Sequence, residues 1–174
     1  MFEFINDLLF AQSIGFVALL IGVLAFQMKD QRLMFVTSEI SNCFWIVHYI
    51  LLGAFTGAFV LAIAVVRTSI VLFLNDKYKL PAIIVGQPHF LFCFMTPEEY
   101  WYKYMPFVAS LIFSCAVYFN DKFLLSRFAA FVASFFWLIF GVMVLSIPEI
   151  MESSFIMLSI LIGVFRHKYK FAKT

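Results

Sequence analysis

The 174-residue chain is expected to fold as an all-α polytopic membrane protein, its seven transmembrane helices forming two parallel three-helix repeats joined by a linker helix. Apolar residues make up 64% of it and charged residues 13%, with a mean hydropathy of +1.01. Soluble domains run at roughly half apolar and a quarter charged. The apolar residues come in long unbroken runs, which suit helices crossing lipid and not the alternation of a membrane barrel. Parts of the first half also recur in the second at a near-constant offset. Other classes are excluded by the same composition. The 12 basic and 10 acidic side chains cannot cover a soluble surface with 25 Phe, 7 Tyr and 3 Trp inside it. Disorder requires far less apolar content. A net charge of +2 without one continuous basic face excludes nucleic acid as a partner.

A span needs about 20 mostly apolar residues. Residues 8–28 form the first. Glu3 and Asp7 precede it with no Lys or Arg, so the basic region of a cleavable signal peptide is missing and the segment is expected to stay in the mature chain. Residues 33–52 and 54–74 give the second and third spans, completing a first unit over 8–79. The fourth, 80–95, contains Pro81 and the Gly86-Gln87-Pro88-His89 break; at 1.5 Å per residue it covers only about 24 Å, enough for a short linker span or a re-entrant segment. The fifth is 104–119 by hydropathy. Its start is expected earlier, because Thr96-Pro97-Glu98-Glu99 reads as a capping box with proline at the first helical position. Tyr100, Trp101, Tyr102 and Tyr104 then belong at an aqueous interface, with a sugar-stacking platform as the sharper reading. The sixth span is 124–145 and the seventh 153–165, so that 96–174 holds the second unit and a basic tail.

Charge sets the orientation. Lys29 and Arg32, Lys77 and Lys79, Lys122, and the tail with Arg166, Lys168, Lys170 and Lys173 carry nearly all exposed basic residues. Glu3, Asp7, Glu98, Glu99, Glu149 and Glu152 fall in the other connections. With seven spans the basic connections share one side, which places the N-terminus outside and the C-terminus in the cytoplasm. The repeat agrees. An offset of 91 brings Phe16-Val17-Ala18 onto Phe107-Val108-Ala109, Asp30 onto Asp121 and Lys77-Tyr78-Lys79 onto Lys168-Tyr169-Lys170; at 92, Phe44-Trp45 falls on Phe136-Trp137. Three-helix units joined by one linker span run parallel, and transporters so built hold their solute near the midplane between the copies.

This 3+1+3 layout, with a Trp in the second helix of each unit, resembles the MtN3/SWEET and PQ-loop superfamily. Three stretches resemble more closely the bacterial inner-membrane proteins of the YgjV type: Ile14 to Phe26; Val47-His48-Tyr49-Ile50-Leu51-Leu52-Gly53-Ala54 followed by Arg67-Thr68; and Trp137 with Glu152-Ser153-Ser154-Phe155. The resemblance covers nearly the whole chain. It implies the fold and the bacterial inner membrane, and no particular activity. Departures from the sugar transporters are plain: no asparagine stands in residues 60–66, only Ser159 is polar across 155–163, and Phe26-Gln27 and Tyr118-Phe119 occupy the places of Pro-Gln.

Ionisable groups at bilayer depth are functional candidates by default. Glu39 lies seven residues past Arg32 and Arg67 eight before Asn75, which puts both roughly 10 to 12 Å from the cytoplasmic surface on antiparallel helices. An ion pair is the simplest reading, as a fixed bridge or as a gating or proton-coupling pair, with snorkelling of both side chains to the interface as the remaining one. Asn42, one turn on, shares Glu39's face, next to Ser38; the counterpart in the second unit, Ala130 to Ser134, is nearly apolar. Trp45 and His48 are candidates for lining an entrance, although a lone histidine is more often a hydrogen-bonded packing residue. Arg127 is expected to snorkel, and Cys43, Cys93 and Cys115 to act as small hydrophobes. No H-E-x-x-H, G-x-S-x-G, P-loop or pair of intramembrane carboxylates is present, so no enzyme, metal or cofactor is expected. The expected function is binding or passage of a small polar solute, neutral or zwitterionic, through a midplane cavity between the units. Glu39, Asn42, Trp45, Arg67 and Ser159 line the path. Partners are then the lipid bilayer, that solute and a second copy of the chain. A non-transporting receptor or assembly partner is the alternative.

Overall fold

A computed structural model describes residues 2–25, 27–73, 100–118 and 122–171. Within them lie six α-helices: α1 Phe2–Ala25, α2 Gln31–Leu51, α3 Phe55–Phe73, α4 Met105–Tyr118, α5 Phe123–Met143 and α6 Ile147–Phe171, with a 3-10 turn Trp101–Tyr104 before α4. The expected linker span at 80–95 and the Thr96 to Glu99 cap lie outside the described residues. Among the described residues three stretches are long and apolar enough to cross a membrane, Asn6–Ala25, Leu124–Met143 and Ile147–Phe165, and Phe55–Ser69 is a shorter apolar one. The chain divides into two compact units, Met1–Phe107 and Val108–Thr174.

In the first unit α1 packs on α2, and α2 on α3. The α1 face is a stripe of small residues, Ala11, Gly15, Ala18, Gly22 and Ala25, all buried. Spacings of four and three keep them on one side of the helix. Small residues let two backbones approach closely, the usual basis of helix association in lipid. The approach is close enough for α2 side chains to reach α1 carbonyls. Ser41 Oγ donates to Ala18 O at 2.7 Å. His48 Nδ1 lies 2.7 Å from Ala11 O; a carbonyl only accepts, so this nitrogen carries the proton. Both pairs are seven residues apart on each helix, as an antiparallel register requires. On the opposite face of α1, Leu9, Phe16, Leu20 and Val23 are exposed. So large an uncovered apolar face fits contact with lipid.

Two hairpin turns have the same hydrogen-bond pattern. After α2, Gly53 N donates to Ile50 O at 3.0 Å and Ala54 N to Tyr49 O at 2.8 Å. After α5, Leu145 N donates to Val142 O at 3.3 Å and Ser146 N to Gly141 O at 2.8 Å. Each is a Schellman motif, which returns the chain through a left-handed residue. Gly53 takes that role at φ 71° and Leu145 at φ 56°. A glycine adopts this conformation without strain, whereas a leucine pays about 1 to 2 kcal/mol.

In the second unit α5 packs on α6. Ser146 caps α6: its Oγ accepts the Glu149 N–H at 3.3 Å, and its carbonyl starts the helical ladder by accepting from Ile150 N at 3.1 Å. This corrects the expected seventh span. The helix begins at Ile147, not at 153, so Glu149 and Glu152 lie in its first two turns and not in an outer connection. It also runs to Phe171, so Arg166, Lys168 and Lys170 continue the helix and do not form a separate tail. A second correction concerns α4. Tyr100 is extended and the α-helix starts at Met105, after the 3-10 turn Trp101–Tyr104 and not ahead of it. Pro106 accounts for this: a proline fits the first turn, but deeper in a helix it removes a hydrogen bond and clashes with the preceding turn.

Candidate functional site

The side chains expected along a solute path are not all in one place. Glu39 and Arg67 interact electrostatically across α2 and α3. Glu39 lies 12 residues before Leu51 and Arg67 12 after Phe55, so the two stand at one height, roughly 18 Å from the hairpin turn. Asn42 joins them, its Nδ2 donating to Glu39 Oε2 at 3.4 Å. The Thr68 side chain, next to Arg67 on α3, also hydrogen-bonds the Glu39 carboxylate. All four side chains are half-buried. The set offers one anion, one cation and two neutral hydrogen-bonding groups.

Trp45 and His48 sit elsewhere on α2. Trp45 is 3% exposed and His48 fully enclosed. They meet edge to face at 5.3 Å between ring centroids, and Tyr49 lies against both, stacked on Trp45 at 5.9 Å and tilted to His48 at 5.3 Å. With Nδ1 bound to Ala11 O, His48 has the surroundings of a packing residue in the α1–α2 interface. Ser159 belongs to the second unit, on α6, with its side chain exposed. Arg127 is exposed near the start of α5, as snorkelling requires, and Cys43 is exposed and free on α2.

The second unit holds a polar cluster that sequence reasoning left in a loop. Glu149 is 6% exposed, and Ser153 Oγ donates to its Oε1 at 2.8 Å. Glu152 stands one turn further on and interacts electrostatically with Glu149. Two carboxylates thus lie in the first two turns of the helix whose apolar stretch is Ile147–Phe165, where an outer connection is expected from the sequence. Ser146-Ile147-Pro148-Glu149 carries the S-x-x-E pattern that identifies an N-cap. That pattern would have put both acids in a helix. Space for Glu149 comes from Gly141, where a Cβ would stand 2.8 Å from Glu149 Cγ and 3.1 Å from its Cβ.

Among the described residues no group of three His, Cys, Asp or Glu converges as a metal would need. The aromatic residues before α4 are also arranged in a group. Tyr100 and Tyr102 stack at 4.9 Å, Trp101 is exposed, and Lys103 Nζ lies 5.5 Å from the Tyr104 ring centroid. Exposed amphipathic rings beside a cation suit a membrane–water boundary.

A family model for bacterial inner membrane proteins, Imp-YgjV, matches residues 9–170. No curated protein and no solved structure matches the chain.

Proposed function

The chain belongs to the Imp-YgjV family of bacterial inner membrane proteins, and from that premise we propose that it binds a small polar solute, neutral or zwitterionic, and passes it across the membrane. The observation that carries this reading is the Glu39, Asn42, Thr68 and Arg67 set at mid-depth of the α2–α3 hairpin. Polar groups at that depth are costly unless they meet one another, a cavity or a ligand. Here they are paired yet half-buried, which leaves polar atoms within a solute's reach. Ser159, also expected along the path, is the position 92 residues beyond Arg67 and lies on α6 of the second unit with its side chain exposed.

The arrangement we propose is seven spans as two parallel three-helix units with a linker, N-terminus out and C-terminus in. Matching features 92 residues apart support it. Helices α2 and α5 start at 31 and 123, and α3 and α6 at 55 and 147. Both hairpins close through the same motif, at Gly53 and Leu145. Trp45 meets His48, and Trp137 meets Phe140, each pair edge to face at 78°. A common offset in turn geometry and ring packing is stronger support than apolar sequence matches, because neither is imposed by hydrophobicity.

The burial of Trp45, His48 and Tyr49 favours a second reading, a receptor or assembly partner that binds without transporting, since these rings fill space that a path would use. Proteoliposomes separate the two. Time-dependent accumulation of a labelled sugar, amino acid or small amide supports transport. Saturable binding without accumulation supports the receptor.

A further inference from the structure

We infer that the solute is a zwitterion bearing a carboxylate and an ammonium group on one small frame, an inference that rests on the polar-solute reading and narrows it. The observation is the juxtaposition of one acid and one base, Glu39 and Arg67, at one height on packed antiparallel helices. Charge balance selects the ligand. Where the dielectric is low, a buried charge deprived of its partner is strongly unfavourable. A ligand that enters between Glu39 and Arg67 must therefore replace the partner of each. A neutral amide or alcohol replaces neither. An anion satisfies Arg67 and strands Glu39, and a cation does the reverse. A zwitterion gives its carboxylate to Arg67, whose planar fork suits two oxygens, and its ammonium to Glu39. Site and ligand together then stay neutral from entry to release.

The neighbouring groups fit the exchange. Asn42 and Thr68 both hydrogen-bond the Glu39 carboxylate, so Thr68 still anchors it when Arg67 turns to the ligand and the ligand takes the place of Asn42. The Asn42 bond is long, at 3.4 Å, and a ligand ammonium, a charged donor, competes well with it.

The test uses the full chain in lipid nanodiscs and equilibrium binding. Glycine, β-alanine and γ-aminobutyrate are the zwitterionic probes. Acetate and methylammonium are the half-ligands, and acetamide and glycerol the neutral ones. At least one zwitterion should bind about tenfold or more tighter than every half-ligand and neutral probe, the scale of one charge-assisted hydrogen bond. Glu39→Gln should weaken zwitterion binding about tenfold and strengthen acetate binding, because Arg67 is then unpaired; Arg67→Gln should do the same with methylammonium in place of acetate. A gain for the complementary half-ligand is an effect that mere structural damage does not produce. Should either variant fail to fold, the ranking of probes on the parent decides. Acetamide or glycerol binding tighter than every zwitterion would overturn the inference and leave the polar-solute reading standing. Zwitterion binding unchanged in both variants would also overturn it. Binding of none of the probes would remove both.

Discussion

Gly141→Ala is expected to destabilise the α5–α6 hairpin, although a glycine-to-alanine change inside a helix ordinarily stabilises by about 0.5 to 1 kcal/mol. An added Cβ would stand 2.8 Å from Glu149 Cγ, 3.1 Å from Glu149 Cβ and 3.4 Å from Ile150 N. The first two atoms are the stem of a side chain that is itself buried and held by Ser153 at 2.8 Å. The third is backbone, fixed by its bond to Ser146 O. None can give way without moving α6 against α5. Overpacking of that kind costs about 1 to 3 kcal/mol. After the propensity gain, a net loss of about 1 to 2 kcal/mol remains. The assay is thermal unfolding in a defined detergent, with Gly163→Ala as the reference. Nothing lies within 4 Å of a Cβ at Gly163, so that variant should gain the propensity term alone. Truncating Glu149 to alanine removes its Cγ and should reduce the cost of Gly141→Ala. A Gly141→Ala protein as stable as Gly163→Ala would refute this account of how Glu149 is seated.

At the two hairpin turns the left-handed residue predicts opposite outcomes. Gly53→Ala should cost about 1 kcal/mol, since its Cβ meets no neighbour and the penalty is purely conformational, whereas Leu145→Gly should relieve about as much strain; the shifts in unfolding midpoint should differ in sign. Replacing Glu39 or Arg67 alone by Gln should destabilise, by less than the roughly 3 to 5 kcal/mol of a fully buried pair because both are half-exposed, and the double variant should recover most of the loss. Singles that add to the double would show the two charges to be independent. A reporter fused after Thr174 should be cytoplasmic and one inserted between Glu99 and Tyr100 external, and finding both on one side would remove the linker span.

Hydropathy located most helices to within a few residues, because a bilayer demands long apolar runs and little else supplies them. It failed where charge and hydropathy diverge. Glu149 and Glu152 read as a loop because carboxylates are costly in lipid, yet Ser146-Ile147-Pro148-Glu149 carried the cap that starts the helix there. The stripe Ala11, Gly15, Ala18, Gly22, Ala25 was equally readable as a packing face. Leu145 was not, since an apolar residue at positive φ looks like one more residue of the sixth span. The caps of the two helices matched in the proposed repeat differ: Asp30 caps α2 by accepting from Leu33 N at 3.0 Å, whereas the cap position of α5 is Lys122, one past the aspartate that matches Asp30 in sequence. In the site, helical spacing is enough to put Glu39 and Asn42 on one face of α2 and Arg67 at the same height on α3, where Glu39 and Arg67 interact electrostatically and Asn42 bonds Glu39. A lone histidine already read as a packing residue, but which partners it takes, Ala11 on α1 and the Trp45 and Tyr49 rings, depends on which face α1 covers and no pattern of single residues shows that.

Solute passage through the α2–α3 polar set is tested most directly by Asn42→Leu in proteoliposomes, with uptake and stability read on the same preparation. Asn42 carries no charge, and its bond to Glu39 is long and part-buried, so stability should change by no more than about 1 kcal/mol, the scale of interhelical hydrogen bonds in membranes. The parent should accumulate a small polar solute and the variant should not. Equal uptake by both, at equal stability, would contradict a path through these residues.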